Sequence, residues 1–314
     1  MEKENVFTST GVKLLWHGEV IEQLLLYKTA SPITLQVAPT SRCSLNCSFC
    51  SNRNRQKHED LDVLDLYVVV HELKNKGLKA IEWTGGGDPT LYKEINECIR
   101  FSERLHLDQG LITNGILLNE NIEKKSLDFL KWVRISMNCL DYVDSISIPY
   151  LNSATLGFSY VMNDNTNSDV LERLNDHVLH YRPAYVRIVP NCQATDKEQE
   201  ENNRKYKELV RSWGNPYFYQ EKVFEQPKEC FWGYFKPFLL HDGYVYPCSS
   251  VVLNLGSEER FHEKYRWCRM KELVKKYDEE ISPFATTNCN HCVFTKQNNM
   301  VTQLLTPTGM ENFI

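Results

Sequence analysis

Apolar and polar positions change period repeatedly along this chain. Pro32 opens Ile33-Thr-Leu-Gln-Val37, whose alternation and β-branched content predict a strand. Leu61, Leu64, Val68, Val69 and Leu73 follow at helical spacing, with Gly77 placed to end that helix. Ala80–Trp83 is the next short strand, and Ile95, Cys98 and Ile99 mark one face of a second helix. Strands are then predicted over Gly110–Thr113, Trp132–Ser136, Gly157–Val161 and Tyr185–Val189. Between them lie a helix from about Ile122 to Lys131 and one carrying Val170, Leu171, Leu174 and Val178.

Strands alternating with helices predict parallel βαβ units, and six of them suit an open, partial α/β barrel better than the eight of a closed one. Residues 1–31 read as a lead-in with an amphipathic stretch at Val20–Leu26, and 32–195 as the barrel. Residues 196–215 read as a polar helical connector. After Pro216 the composition turns aromatic-rich and cysteine-bearing, which places a smaller second domain at 216–314.

Composition narrows the class. A chain of 314 residues with 42% hydrophobic and 25% charged residues is that of an ordinary globular protein. No apolar run is long enough to cross a bilayer, and the charged start Met1-Glu-Lys-Glu-Asn5 is unlike a signal peptide, so a cytoplasmic location without membrane partners is expected. A net charge of −5 offers no general attraction to nucleic acid. One local basic run, Arg53 to His58, follows the first cysteine group; it reads as a solvated loop or as a hold for an anionic substrate. Eleven cysteines in such a chain point to metal rather than to disulfides.

Three of those thiols, Cys43, Cys47 and Cys50, fall within eight residues directly after the first strand. Three thiolates are one short of closing an iron–sulfur cube or a structural zinc site, and a metal with an open position is reactive. Half a zinc ribbon is the bland alternative. The spacing CxxxCxxC, with Phe49 before the third cysteine, resembles the signature of the radical S-adenosylmethionine (SAM) enzymes. That resemblance covers roughly residues 31–190. It implies a partial barrel in which the three cysteines hold a [4Fe–4S] cluster and SAM chelates the fourth iron.

Ligands of parallel α/β sheets bind at the carboxyl ends of strands, where the other motifs also fall. Gly85-Gly86-Gly87-Asp88-Pro89 follows the second strand and resembles the family's glycine-rich motif, whose backbone binds the SAM amino group; Asp88 stands where Glu is commoner. The resemblance also implies that Thr113, Asn114 and Ser136 line the SAM pocket, with Ser136 near the ribose. Ser and Asn at such places also serve simply as helix caps. Arg134 and Arg187 lie inside strands, where a charge is costly unless paired. Each is a candidate catalytic or substrate-binding group, or half of a structural ion pair.

A second constellation joins Cys230 and Cys248 to the CxxC knuckle Cys289–Cys292. Four thiols meet the needs of a closed four-coordinate site, iron–sulfur or zinc. The set resembles the twitch domain, the short form of the SPASM domain, which implies a second, auxiliary [4Fe–4S] cluster. Cys268 is a possible substitute ligand. Cys98, Cys139 and Cys192 read as buried small hydrophobes, and His291 as solvent-facing.

Together these features imply reductive cleavage of SAM to a 5′-deoxyadenosyl radical and hydrogen abstraction from a substrate. A two-electron oxidation or rearrangement of a sugar, nucleotide or aminocyclitol is the leading expectation. A flavodoxin- or ferredoxin-type donor would supply electrons. Peptide or nucleic-acid-base modification is the alternative, made less attractive by the roughly thirty residues before the barrel, too few for a peptide-binding domain. A non-catalytic zinc or iron–sulfur scaffold is the reading from another class.

Overall fold

The computed structural model describes every residue except 1–6, 54–57, 192, 222–224, 253–260, 287–288, 290–291, 311 and 313–314. Most of the basic run after Cys50, Cys192 and His291 therefore lie outside the described residues. Helix α1 (Gly18–Tyr27) precedes β1 (Thr34–Val37), α2 (Val63–Asn75), β2 (Ala80–Trp83), α3 (Ile95–Arg104) and β3 (Asp108–Thr113). Next come α4 (Leu118–Asn121), α5 (Lys124–Asp128), β4 (Trp132–Ser136), β5 (Thr155–Met162), α6 (Ser168–Tyr181), β6 (Tyr185–Pro190) and α7 (Asp196–Trp213). The remainder contributes β7 (Tyr217–Tyr219), α8 (Trp232–Phe235), β8 (Phe238–Leu239), β9 (Tyr244–Tyr246), β10 (Cys268–Arg269), α9 (Leu273–Lys276) and α10 (Thr295–Leu305).

Among the described residues all ten strands join one sheet, in the order β10-β9-β8-β1-β2-β3-β4-β5-β6-β7. Strands β1 to β7 are parallel neighbours in chain order, the α/β arrangement expected of a partial barrel. The sheet continues past residue 215 on both edges. Strand β7 pairs with β6, and β8 pairs parallel with β1, before β9 and β10 turn antiparallel. No helix among the described residues is long and apolar enough to cross a membrane.

Local chemistry explains most element boundaries. Asp62 caps α2 by accepting from the Asp65 N–H at 2.9 Å, and Gly77 takes φ +110° just beyond its end. Thr195 and Glu198 form a reciprocal capping box at the start of α7. Two expectations need correction. The inner face of α2 is Leu66, Val69, Val70 and Leu73, while Leu64 and Val68 point outward; the stretch is apolar nearly all round, so its period did not fix which side is buried. The helix expected from about 122 to 131 is shorter, α5 at Lys124–Asp128, and a separate short helix, α4, ends just before it. At the break, Asn121 donates to Thr90 O at 2.9 Å and Glu123 N–H donates to Asn96 Oδ1 at 2.9 Å, so tertiary partners replace helical ones. The β4–β5 crossover carries only a 3₁₀ turn at Met137–Asp141.

Candidate functional site

The cysteine loop leaves the carboxyl end of β1 and is laced to its neighbours through the backbone. Thr84 N–H donates to Val37 O at 2.8 Å, Gly87 N–H to Thr40 O at 2.8 Å, and Asp88 N–H to Arg42 O at 2.7 Å. The glycines of this second loop are demanded by that closeness. A Cβ on Gly87 would lie 2.0 Å from Arg42 O, one on Gly85 would lie 2.2 Å from Gly87 O, and one on Gly86 would strike the His241 ring at 2.5 Å. Any side chain here would push the glycine loop off the cysteine loop.

Asp88 is the hub that fixes the third strand end to this pair. Its buried carboxylate accepts from Thr90 N–H at 3.0 Å and Thr90 Oγ1 at 2.7 Å. It also accepts from Thr113 Oγ1 at 2.9 Å and from Asn114 N–H at 2.7 Å. The side chains of Asp88 and Thr113 are thus committed to holding the loops, which leaves backbone groups to meet a ligand. Asn114 reaches the cysteine loop itself, its Nδ2 donating to Ser44 Oγ at 3.1 Å and to Cys43 Sγ at 3.6 Å. Ser136 ends β4 opposite Ser159 on β5. The sequence reading missed Asp88 as a brace, although its place before Pro89 and Thr90 is a capping signal.

Cys43, Cys47 and Cys50 are all partly accessible, and Cys50 N–H closes a turn on Cys47 O at 3.1 Å. Phe49 between them is turned inward. The Cys47 thiol is pushed up to about 11, first by burial and further by the Cys50 and Cys43 charges, while a hydrogen bond with Tyr142 pulls the other way. Three thiols gathered on one loop, with Cys47 feeling the charge of the other two, form a donor set that fits a thiolate-held cluster with one open position.

The second set assembles from three separate segments. Cys230 bridges Phe284, Cys248 follows β9, Cys289 lies in the loop beyond, and Cys292 precedes α10. Burial raises the Cys230 thiol well above its ordinary value, and the charges of Cys248, Cys292 and Cys289 add to that rise. All four belong to one electrostatic neighbourhood, which fits a closed four-thiolate site. Among the described residues neither set is drawn tight enough to form a ready-made cage for a bare cation. Cys268 stands apart on β10, where its charged neighbours are Glu272, Lys276 and Glu279. Cys98 and Cys139 are buried, as their neighbours in sequence suggest.

Asn298 was not legible in the sequence. Fully buried on α10, it accepts from Phe231 N–H at 2.7 Å and Trp232 N–H at 2.9 Å, pinning the Cys230 segment to the helix behind Cys292. Phe294 N–H donates to Cys292 Sγ at 3.4 Å.

A parallel partial barrel with three thiols on the loop after its first strand and a glycine loop after its second defines a class of cofactor-binding barrel. The radical SAM superfamily matches residues 37–144, the stretch that carries both loops. GTP 3′,8-cyclase of Clostridium botulinum is 30% identical over 112 residues, covering 34% of this chain and 35% of that protein. PqqA peptide cyclase of Gluconobacter oxydans is 32% identical over 91 residues, covering 28% and 25%. The matches thus span only about a third of these relatives' length. The fold extends further. SuiB of Streptococcus suis, bound to its precursor peptide SuiA, superposes over 89% of this chain and 72% of its own with a TM-score of 0.55 at 14% identity. Residues 37–144 thus carry the match to the radical SAM superfamily, and beyond them the likeness is one of fold.

Proposed function

We propose that this enzyme cleaves SAM at a [4Fe–4S] cluster held by Cys43, Cys47 and Cys50, and completes a two-electron oxidation or rearrangement of a small molecule. The substrate would be of sugar, nucleotide or aminocyclitol type, and a flavodoxin- or ferredoxin-type protein would donate electrons. When bound, the first cluster and SAM supply a 5′-deoxyadenosyl radical for hydrogen abstraction, and a second cluster supplies an acceptor for the electron left on the substrate. The chain's own residues orient and exclude water. Gly85, Gly86 and Gly87 offer backbone groups at the carboxyl end of β2, Asp88 and Thr113 hold that loop in place, and Asn114 steadies the loop at Cys43. Ser136 presents a hydroxyl from the end of β4. Cys230, Cys248, Cys289 and Cys292 would hold the second cluster. The division at residue 215 into a barrel and an auxiliary-cluster part belongs to the same proposal.

The observation that carries the oxidation reading is the gathering of four thiols around Cys230, since a closed cluster suits electron transfer rather than substrate chelation. Peptide modification stays a second reading, favoured by the likeness to PqqA peptide cyclase and to peptide-bound SuiB. A direct test is 5′-deoxyadenosine formation by the reconstituted protein. Cys43→Ala should abolish it, and retention of cleavage in that variant would overturn the assignment of the loop.

A further inference from the structure

Charge inside the barrel is left over once the cysteine sites have been described. Along β4, Trp132, Arg134 and Ser136 keep some accessible surface while Val133 and Ile135 are sealed against the outer layer. Strand β6 repeats the pattern, with Arg187 and Val189 partly accessible between the buried Val186 and Ile188. Alternation therefore turns both arginines to the inner face. The strand register sets Arg187 level with Ser159 and Ser136, the end of β4 that lies beside the SAM-binding loops of the family. Arg134 sits one inward row lower, level with Gly157 and Tyr185.

Glu82 is an acid whose charge bears on both arginines, and it is already engaged. Lys236 Nζ lies 2.9 Å from its carboxylate and Gln36 Nε2 donates to it at 2.9 Å. Burial pushes the Glu82 carboxyl up, but Lys236 and Arg134 outweigh that and hold it below its ordinary value. One carboxylate thus faces Lys236, Arg134 and Arg187. Among the described residues neither arginine makes an ion pair. Arg187 Nη1 donates to the neutral Gln220 Oε1 at 3.1 Å, and the Nε of both arginines is buried without a hydrogen-bond partner. Burial first, and Arg134 second, pull Arg187 down to about 9, the mark of a cation short of compensation.

The floor beneath is closed. Phe7 stacks on Tyr185 at 4.4 Å, and Lys236 donates to Ser9 Oγ at 3.1 Å. Gly157 leaves room for the Tyr185 ring, which a Cβ there would meet at 2.1 Å. A ligand group reaching the arginines comes from the mouth.

We propose that Arg187, with Arg134 behind it, binds an oxyanion of the substrate, a carboxylate or a phosphate, that enters the barrel first and leaves the rest of the molecule at the SAM site. The proposal rests on the reading of the mouth as that site. Buried guanidinium groups recognise oxyanions through charge-assisted, often bidentate hydrogen bonds, and they are costly to keep without such a partner.

The test uses the reconstituted full chain with SAM bound, and inorganic phosphate and acetate as probes. Calorimetry and the anion-dependent rise in melting temperature are read for wild type and Arg187→Met. Wild type should bind one of the two probes, phosphate marking a phosphorylated substrate and acetate a carboxylated one. Arg187→Met should weaken that binding by about tenfold or more, as expected for losing a charged hydrogen-bonding partner, without a matching loss of SAM affinity. Should Arg187→Met not fold, Arg134→Met is read the same way, with a loss of about threefold expected for the more distant charge. The proposal is overturned if wild type binds neither probe, or if the variants bind as wild type does. It is also overturned if SAM affinity falls in proportion, which would make SAM's own carboxylate the anion. Wild type that binds an anion but no SAM would instead sink the reading of the mouth and leave the anion site standing.

Discussion

The two cysteine sets are gathered by opposite routes. Cys43, Cys47 and Cys50 come from one loop, and the backbone of neighbouring strand ends laces that loop in place. Cys230, Cys248 and the Cys289–Cys292 knuckle come from three separate segments, and the buried Asn298 of α10 ties the Cys230 segment to the helix behind Cys292. The first set is a local device on a rigid sheet end, whereas the second depends on packing between segments distant in sequence. Loosening the packing behind the second set should therefore cost that set its metal, while the first set, held by the strand ends, keeps its own.

The largest separation is expected from Cys289→Ala. SAM cleavage should survive while product formation falls to background, and normal turnover would refute an electron-accepting role for the second set. Asp88→Ala comes next. It leaves the buried donors of Thr90, Thr113 and Asn114 unmatched, at a cost of about 3 kcal/mol in unfolding free energy. SAM cleavage should drop by about tenfold or more as the loops lose registration. Chemical denaturation and 5′-deoxyadenosine assays read both effects; wild-type values in either would mean the brace is dispensable.

Asn298→Leu removes acceptors from the Phe231 and Trp232 N–H groups and should cost about 2 kcal/mol. Iron at the second set should fall while iron at the first is kept, and equal loss at both would erase the contrast drawn above. The smallest effect belongs to Cys268→Ala. Its iron content should match wild type, with a stability loss of about 1 kcal/mol from the small cavity. Iron loss there would return Cys268 to the ligand set.

Legibility followed the same division. The barrel, the cysteine loop and the glycine loop could be read because strand alternation and motif spacing are local properties. Cys230 and Cys248 were placed with the CxxC knuckle by counting thiols, but Asn298, which organises them, carries no local signal. Strand β7 was missed because three aromatic residues inside an aromatic-rich stretch show no alternation long enough to detect. The Glu82–Lys236 pair joins residues far apart in sequence, brought close by β8, just after Lys236, pairing with β1 beside β2. The outward-facing Leu64 and Val68 show the reverse failure, in which a helix apolar nearly all round gives a period without a direction.

The central claim is that two independent thiolate sites sit on one sheet. Iron, sulfide and zinc per chain should be measured after anaerobic reconstitution of wild type, the Cys43/Cys47/Cys50 triple alanine variant and the Cys289/Cys292 double alanine variant. Two cubane clusters predict about eight irons in wild type and about four in each variant. About four irons in wild type, with zinc making up the second site, would contradict the claim and remove the main support for an oxidation.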